Sequence, residues 1–498
     1  MPEDGTRLSS TTSLCPTCLE PVPGRYEARD GGVHLSRTCP EHGTSSRQVW
    51  ASLDHWEWAA EFDADAEFDA DDPSADADGA RDPTDLDLTV DDDHACLAVI
   101  EVTSDCNLSC SFCFASSGPG GTHRPFDEVV ELLETVDGAA GPRPIQFSGG
   151  EPTVRDDLPE LVERAREMGF GHVEVNTNGL RLAREDGYAE RLADAGVSAI
   201  YLQFDGLEAG TYEAIRGVDL ADAKRRAIEA CRAADLPVVL VPTVVPGTND
   251  HELGAIVRFA LANLDVVQSV NFQPVSQFGR YDEHGGRFSI DAAARRLADQ
   301  LAAVDARDLL PVPCCSTYCQ FATALAPDGE GGAIPLTQFL GSEAWASFAG
   351  LVDEADWMEF LAKTPTGRDR ACTTAGCCGV SVPDGTGALF DSVLPVTFTG
   401  FMDADAADAD RLEDCCLSVP TPSGDLVPFC AYNMTDERGR YAIRNRNGWG
   451  GRAAVDEPPA ADVDVSSDVE PGCASGTDVS IDTATDRPVA DRPGVDDD

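Results

Sequence analysis

Three cysteines at CxxxCxxC spacing carry the most specific chemistry in the sequence. Cys106, Cys110 and Cys113 follow directly after a run of apolar and β-branched residues at 96–103, which predicts a strand. Three thiolates can hold three irons of a [4Fe–4S] cluster and leave the fourth iron open to a small molecule. Half of a zinc site and buried structural cysteines are the alternatives, but a zinc site more usually shows CxxC pairs.

This spacing resembles the signature of the radical S-adenosylmethionine (SAM) enzymes. In that superfamily the amino and carboxylate groups of SAM chelate the open iron. An electron from the cluster cleaves SAM to methionine and a 5′-deoxyadenosyl radical, which takes a hydrogen atom from the substrate. The residue before the last cysteine is aromatic in the family and lies beside the adenine, so the resemblance implies this position for Phe112.

A second motif follows the second predicted strand. Gly149, Gly150, Glu151 and Pro152 resemble the family's GGEP stretch, in which the backbone and the carboxylate hold the SAM amino group. Glycine lets the backbone approach a ligand closely, and the glutamate supplies the negative charge that pairs with an ammonium. A GGEP sequence alone would predict a turn, but its position after CxxxCxxC makes it specific.

Polar residues also follow the third and fourth predicted strands. Asn178 stands in a TNG motif, and Gln203 and Asp205 come at the end of the next strand. By resemblance, these side chains and Arg216 contact the ribose or the carboxylate of SAM. A strand-end turn is the alternative for the first three, and a local pair with acidic residues is the alternative for the arginine.

Residues 95–305 alternate strand and helix patterns six times. Short apolar runs predict strands at 96–103, 144–148, 172–176, 198–204, 237–245 and 268–275. Helical patterns follow at about 126–137, 157–169, 185–195, 220–234, 251–264 and 289–304. The alternation argues for parallel strands with right-handed crossovers. The predicted fold class is therefore α/β, an open (β/α)6 partial TIM barrel as in the radical SAM core, with ligands at the carboxyl ends of the strands.

Two further pairs of metal-ligating residues stand near the N-terminus. Cys15 and Cys18 form a CxxC pair, and Cys39 and His42 form a CxxH pair 20 residues later. This pattern fits one tetrahedral metal ion, with each pair on a tight turn and short strands between the pairs. Zinc and mononuclear iron both accept such ligands, so the metal stays open. Four unligated residues are the alternative.

Nine more cysteines lie between residues 306 and 450. Such density in a chain from a reducing compartment indicates metal ligation rather than disulfides, and it predicts one or two auxiliary [4Fe–4S] clusters. Zinc is the rival metal because thiolates serve both. Adjacent cysteines rarely ligate one metal, so some of the nine are spectators. The predicted ligands are Cys314, Cys319, Cys372, Cys377, Cys416 and Cys430.

The amino-acid composition indicates which partners and which environment the protein can have. The 498 residues include 89 acidic and 36 basic ones, which give a formal net charge of −53. A surface with so many acidic residues repels nucleic acid. The composition also resembles that of proteins from extreme halophiles, in which concentrated salt screens the repulsion between the acidic side chains. The sequence shows neither an apolar stretch long enough to cross a membrane nor a secretory signal. We therefore expect a cytoplasmic protein.

The predicted organisation has five parts. They are a Cys/His metal domain at 1–60, an acidic linker at 61–94, the radical SAM core at 95–305, an auxiliary iron–sulfur domain at 306–450 and a disordered acidic tail at 451–498.

Motifs outside the core narrow the resemblance to one branch. CPxC and CPEHG stand before the core, and four segments after it belong to the same pattern: 400–403, 410–412, 415–416 and 428–433. They look like the class D methylase group, which includes archaeal tetraether lipid synthase and enzymes described as pterin methylases. The acid-rich stretch 404–410 and the extra Cys377–Cys378 pair depart from that pattern.

The resemblance implies an enzyme that activates a C–H bond and forms a carbon–carbon bond, either by joining lipid chain ends or by methylating a carbon. A peptide-modifying radical SAM enzyme and a non-enzymatic iron–sulfur electron carrier are the alternatives. A lipid needs an apolar groove, for which 389–390, 393–398 and 401–402 are candidates, and an ordinary core strand is the alternative. The implied partners are a small-molecule or lipid substrate, the latter with peripheral membrane contact, and an electron donor such as ferredoxin or flavodoxin.

Overall fold

The computed structural model describes residues 4–62, 95–281, 287–312, 316–329, 331–340 and 393–444. The first of these segments forms an antiparallel sheet of four strands: β1 (Arg7–Leu14), β2 (Pro21–Arg29), β3 (Gly32–Cys39) and β4 (Gly43–Trp50). Helix α1 (Leu53–Ala60) follows, with Ser52 as its N-cap. The strands are longer than the short ones expected, and their meander order brings the β1–β2 and β3–β4 turns to one end of the sheet.

Parallel strands form the centre of a second, larger sheet. They are β5 (Leu97–Thr103), β6 (Ile145–Gly149), β7 (Val173–Thr177), β8 (Ala199–Gln203), β9 (Val238–Val241), the two-residue β10 (Thr243–Val244) and β11 (Val267–Pro274). Six of them lie side by side in the order β5-β6-β7-β8-β9-β11. This is the order that consecutive crossovers produce, and the predicted open (β/α)6 fold is confirmed.

Residues of opposite character alternate along these strands. On β6, Ile145 and Phe147 are fully buried in the main hydrophobic core, whereas Gln146 and Ser148 line the inner cavity. The other strands repeat this period of two, because successive side chains of a strand point to opposite faces. The outer face therefore packs on the helices, whereas the inner face carries polar side chains on β6, β7, β8 and β11 and aliphatic ones on β5 and β9.

Helices connect the strands and cover their outer face. They are α2 (Phe126–Ala140), α3 (Leu158–Glu167), α4 (Leu180–Arg184), α5 (Tyr188–Ala195), α6 (Ala209–Arg216), α7 (Ala221–Ala233), α8 (Leu253–Leu261) and α9 (Ile290–Ala298). The single helix expected at 185–195 is wrong in its start. Two helices occupy this region, separated where Gly187 adopts a left-handed φ of 77°. No helix among the described residues is long and apolar enough to cross a bilayer.

The C-terminal half extends both edges of the larger sheet. Its elements are β12 (Leu310–Pro311), β13 (Gln320–Pro327), β14 (Ala333–Pro335), α10 (Thr337–Leu340), β15 (Leu394–Thr399), α11 (Ala409–Glu413), β16 (Leu417–Pro420), β17 (Leu426–Pro428) and α12 (Phe429–Asn433). Strand β15 pairs with β11, whereas β16 pairs with β5. Residues 400–416 therefore cross from one edge of the open barrel to the other. The described part of the predicted 306–450 domain is joined to the core in one unit, Met1–Pro458.

The acid-rich stretch 404–410 is the surface on which the N-terminal sheet docks. Tyr26 Oη donates to Asp408 Oδ2 at 2.5 Å, and Arg37 Nη2 donates to the carbonyl oxygen of Asp405 at 2.8 Å. Asp408 is only 5 % exposed. These acids therefore hold two parts of the chain together and are not a solvated acidic patch. The predicted linker beyond residue 62 and the predicted tail at 451–498 lie outside the described residues.

Candidate active site

A cavity opens at the carboxyl ends of the parallel strands, and Cys106, Cys110 and Cys113 all line it. Their loop follows β5 and is fixed by hydrogen bonds to the backbone. Arg280 Nε donates to the carbonyl oxygen of Cys110 at 2.6 Å, and the N–H of Cys113 donates to the carbonyl oxygen of Arg280 at 2.8 Å. Asp105 Oδ1 accepts the N–H of Cys106 at 3.0 Å. The structure thus brings together the three thiols that the spacing selects.

The environment of these thiols suits a cationic cluster. Burial raises the pKa of Cys106 well above its usual value and also raises the pKa of Cys110, a shift that Arg216 opposes. A buried thiolate is stable only beside positive charge, which bound irons supply. Among the described residues, the three sulfurs do not converge within 4.8 Å of one another, as the ligands of a single ion do. The assignment of these three thiols to separate irons of one cluster stays a prediction.

The two glycines of the GGEP turn are required by backbone packing. Gly149 has a φ of 122°, and a Cβ there would collide with the carbonyl oxygen of Thr103. A Cβ at Gly150 would meet the carbonyl oxygen of Asp105, directly before the cysteine loop. The glycines therefore let the end of β6 lie against the cysteine loop. Their contact with SAM, like that of Pro152, stays a prediction.

The carboxylate of Glu151 is 2 % exposed and joins two strand ends. Its Oε1 accepts the hydroxyls of Thr153 and Thr177, both at 2.6 Å, and its Oε2 accepts the N–H of Asn178 at 2.7 Å. The GGEP turn after β6 is thereby tied to the TNG turn after β7. Glu151 lines the cavity, and Oε2, with one hydrogen bond from the chain, is the oxygen for the predicted ammonium pair.

A buried lysine supports the other predicted SAM contacts. Lys224 on α7 is 1 % exposed, and its Nζ donates to the carbonyl oxygen of Asn178 at 2.5 Å and to Gln203 Oε1 at 2.7 Å. Asn178 Nδ2 in turn donates to Asn107 Oδ1, within the cysteine loop, at 2.7 Å. The sequence reasoning missed this lysine. Its one signal is rarity, because the chain has only one other lysine, at position 363.

Asp205 and Arg216 form a buried ion pair beside the cysteine loop. Arg216 Nε donates to Asp205 Oδ2 at 2.6 Å and Arg216 Nη2 to Oδ1 at 2.8 Å, and the carboxylate is fully buried. The N–H of Thr243 also donates to Asp205 Oδ1, at 3.1 Å. Arg216 lines the cavity, as does Phe112, whose carbonyl oxygen accepts Arg216 Nη1 at 3.4 Å. The geometry makes Asp205 a positioning group for Arg216, and its contact with SAM stays a prediction.

The rest of the cavity wall combines uncharged side-chain amides and phenylalanine rings with aliphatic residues such as Leu97, Val99 and Val275. Six side-chain amides line it: Gln146, Asn176, Asn178, Gln203, Asn271 and Gln273. Five phenylalanines also line it: Phe112, Phe114, Phe278, Phe401 and Phe429. Four of the amides come from inner-face positions of β6, β7 and β11. The polar pattern was visible in the sequence, but which face it lines depends on the barrel.

The N-terminal Cys/His residues form a second, separate site. The ligand atoms of Cys15, Cys18, Cys39 and His42 all lie within 4.8 Å of one another, and Cys39 Sγ is 3.5 Å from His42 Nδ1. A backbone hydrogen bond from Glu41 and a side-chain one from His42 lower the pKa of Cys39 to about 6. A thiol that ionises near neutral pH is ready to ligate. The four residues fit one tetrahedral ion.

The predicted auxiliary-cluster ligands divide between described and undescribed segments. Cys319 Sγ lies 3.1 Å from Arg411 Nη2, the Cys430 sulfur accepts the N–H of Met402 at 3.4 Å, and Cys416 is buried beside β5. Cys314, Cys372 and Cys377 lie outside the described residues. The auxiliary clusters therefore stay a prediction.

Comparisons with known proteins agree with this geometry. Residues 100–260 match the radical SAM superfamily, and residues 7–51 match the family described as the HMPTM N-terminal zinc ribbon domain. The chain is 33 % identical over 478 residues to 7,8-dihydro-6-hydroxymethylpterin dimethyltransferase of Methanocaldococcus jannaschii, an alignment that covers 85 % of this chain and 93 % of that protein. It is 32 % identical over 207 residues to GTP 3′,8-cyclase of Heliobacterium modesticaldum, covering 40 % and 62 % respectively.

Solved structures share parts of the fold at low identity. Streptococcus suis SuiB bound to S-adenosylmethionine is 17 % identical, with a TM-score of 0.36, and the match covers 42 % of this chain and 47 % of that one. Methylornithine synthase is 15 % identical with a TM-score of 0.31, covering 42 % and 64 %. These similarities are too distant to carry an argument about substrate.

Proposed function

The chain belongs to the radical SAM superfamily and, within it, to the family of 7,8-dihydro-6-hydroxymethylpterin dimethyltransferase, and from this premise we propose that it methylates a carbon atom of a reduced pterin. It is an enzyme, and its superfamily uses SAM and a [4Fe–4S] cluster. When bound, these supply a carbon-centred radical that removes a hydrogen atom from a C–H bond. The one-carbon donor and an electron donor of the ferredoxin or flavodoxin class are separate co-reactants.

The cavity residues have distinct roles in this proposal. Cys106, Cys110 and Cys113 hold the cluster, and Arg216 places a positive charge beside the loop. Glu151 orients the amino group of the bound SAM through Oε2. The turn at 149–152 and the side chains of Asn178 and Gln203 orient the rest of SAM, and Phe112 packs beside its adenine.

The single observation that carries the choice of substrate is the uncharged, amide-rich wall of the cavity. A reduced pterin is a flat, neutral heterocycle with hydrogen-bond donors and acceptors along one edge. Side-chain amides offer both kinds of partner, and phenylalanine rings offer flat apolar surface. Such a wall supports a pterin better than a lipid chain, which has no polar groups to satisfy buried amides.

Two other substrate classes have weaker support. Of the predicted lipid groove, β15 buries Leu394, Val396 and Phe398 completely in the main core, as the core-strand alternative requires, whereas Phe401 lines the cavity. Residues 389–390 lie outside the described residues. A nucleoside triphosphate needs cationic side chains for its phosphates. Among the described residues that line the cavity, Arg216 is the cationic one, and it is paired with Asp205. The non-enzymatic electron carrier is excluded by the family.

The proposal is tested with anaerobically reconstituted full-length enzyme, SAM and a reductant. The enzyme receives 7,8-dihydro-6-hydroxymethylpterin, GTP or an archaeal diether lipid, one at a time. We expect the pterin alone to accelerate formation of 5′-deoxyadenosine. In cells, deletion of the gene should remove methylated pterins from the metabolite extract, and complementation should restore them. Acceleration by GTP or by the lipid, with none by the pterin, would contradict the proposal.

A further inference from the structure

A hydrogen-bonded group of four side chains lies on the part of the cavity wall that the SAM-binding motifs do not use. Tyr201 on β8 is joined to Asn271 and Gln273 on β11, and Thr399 at the end of β15 completes the group. All four line the cavity. In the sheet, these strands stand three or more places from β5, which carries the cysteine loop.

The hydrogen bonds within this group fix the orientation of both amides. Asn271 Nδ2 donates to Tyr201 Oη at 2.8 Å, and Thr399 Oγ1 donates to Asn271 Oδ1 at 3.1 Å. Gln273 Nε2 also donates to Tyr201 Oη, at 2.9 Å. Because its nitrogen is held by the tyrosine, the Gln273 carbonyl oxygen is turned away from it. The side chains are therefore arranged before any ligand binds, which reduces the entropy lost on binding.

Among the described residues, this part of the cavity wall carries no charged side chain. Among the described lining residues other than the cysteines and Tyr201, the ionisable ones are Glu151 and Arg216. Glu151 accepts hydrogen bonds from three residues of neighbouring turns, and Arg216 is paired with Asp205. A charged ligand group would lie here without a partner, at a high desolvation cost. The wall therefore selects a neutral ligand.

Aromatic rings give the cavity a continuous apolar shelf. The ring centroids of Phe114 and Phe429 are 5.4 Å apart, those of Phe429 and Phe401 are 5.2 Å apart, and those of Phe401 and Phe278 are 6.4 Å apart. The rings are tilted by 41–58° to one another, so a flat bicyclic ring packs against the face of one of them and meets the edges of its neighbours.

We infer that Asn271, Gln273, Tyr201 and Thr399 form the subsite that binds the 2-amino-4-oxo-pyrimidine edge of the substrate, with its rings on the phenylalanine shelf. The inference rests on the proposed function, because this edge belongs to pterins. It goes further in naming the side chains that select the heterocycle. Gln273 Oε1 accepts from the edge's amino or ring N–H group, while Asn271, Tyr201 and Thr399 hold Gln273 in the orientation that presents this oxygen.

The test uses Gln273→Leu in the cluster-loaded full-length enzyme. Loss of one hydrogen bond at a buried polar site should weaken binding of 7,8-dihydro-6-hydroxymethylpterin about tenfold or more, measured by calorimetry. SAM affinity and the slow SAM cleavage without substrate should be unchanged. Gln268→Leu is the matched control, since it lies on the same strand but does not line the cavity. A conservative variant, Gln273→Glu, keeps an acceptor oxygen at this position and should bind the pterin more tightly than Gln273→Leu does.

The outcomes separate the subsite from the proposed function. If the wild type and Gln273→Leu bind the pterin equally well, the subsite is wrong and the function stands. If the wild type does not bind the pterin, guanosine is used as the probe, because it carries the same 2-amino-4-oxo-pyrimidine edge. Guanosine binding that is lost in Gln273→Leu would support the subsite without the function. Binding of neither ligand by the wild type would overturn both.

Discussion

Replacement of Lys224 by methionine tests whether the buried lysine positions the SAM contacts. Methionine preserves the apolar stem but removes the charge and the two hydrogen bonds to the Asn178 carbonyl oxygen and to Gln203 Oε1. Below its pKa of about 7 the lysine is protonated, and a hydrogen bond from a charged donor contributes about 1.5–3 kcal/mol, so the titration is run on the acidic side of that pKa. Without the lysine, Asn178 and Gln203 are no longer held in place for SAM. If the free energy of SAM binding falls by one such contribution, the affinity for SAM should fall roughly tenfold to a hundredfold.

The assay is calorimetric titration of SAM into cluster-loaded enzyme, with iron content measured in parallel. Iron should stay at the wild-type level, because the lysine holds side chains of the SAM site. Arg225→Met is the matched control: it removes a positive charge from the next position of α7, where the side chain is 51 % exposed. Unchanged SAM affinity in Lys224→Met, or an equal loss in Arg225→Met, would refute the reasoning.

The same lysine predicts a pH dependence of stability. Burial lowers the pKa of Lys224 to about 7 from 10.5, so its folded-state pKa lies below its unfolded one. Between these values the unfolded chain binds the proton more tightly, and stability is lost as the pH falls from about 10 toward 7. The free energy of unfolding of the wild type, minus that of Lys224→Met, should therefore rise with pH across this window. A flat difference would show that the site does not exclude the charge.

Three further predictions concern the elements around the cavity. Asp408→Asn should loosen the N-terminal sheet, because it weakens the charge-assisted bond from Tyr26; a loss of about 1–3 kcal/mol in the free energy of unfolding is expected in denaturant titrations, and no loss would contradict the docking. Cys39→Ser should remove one metal equivalent by elemental analysis while the visible absorbance of the cluster persists, whereas retained metal would mean that the site has other ligands. Glu151→Gln should weaken SAM binding roughly tenfold in the calorimetric assay, and equal affinity would leave the carboxylate with a structural role alone.

Local patterns in the sequence were sufficient to predict the open barrel and the position of its cysteine loop. Each strand of the core is a short apolar run, and each is followed by the helix that covers it, so the order of elements determines the sheet order. The cysteine spacing and the polar strand ends are equally local. They were predicted correctly to meet because the carboxyl ends of parallel strands lie at one edge of a sheet.

Contacts between segments that are far apart in the chain could not be predicted from the sequence. The acid-rich stretch 404–410 departs from the family pattern in the sequence, and only the structure shows that Asp408 accepts a hydrogen bond from Tyr26, 382 positions earlier. Lys224 lies in a helix with many charged residues, where burial cannot be distinguished from exposure without the neighbouring strands. The polar residues of β11 likewise acquire a role only in the folded sheet, where β8 lies on the other side of β9 and brings Tyr201 within hydrogen-bonding distance of Asn271 and Gln273. These features depend on tertiary packing, which overrides local composition.

The structure also narrows the choice of substrate class, for a physical reason. A lipid groove and a core strand have the same apolar pattern, so β15 was ambiguous in the sequence. The structure buries this strand and leaves amides on the cavity wall, and the amides favour a polar heterocycle. The auxiliary clusters stay a prediction. The structure includes three of the predicted ligands, Cys319, Cys416 and Cys430, and the iron content of the reconstituted enzyme tests whether they bind clusters.

The most direct test of the central claim is the rate of 5′-deoxyadenosine formation, measured with and without 7,8-dihydro-6-hydroxymethylpterin, in the wild type and in a variant with Cys106, Cys110 and Cys113 all changed to alanine. We predict that the pterin accelerates SAM cleavage in the wild type and yields a methylated pterin by mass spectrometry when a one-carbon donor is present. The triple variant should form no 5′-deoxyadenosine under either condition, while it keeps the metal of the N-terminal site. Continued SAM cleavage by the triple variant, or a wild type indifferent to the pterin, would contradict the account.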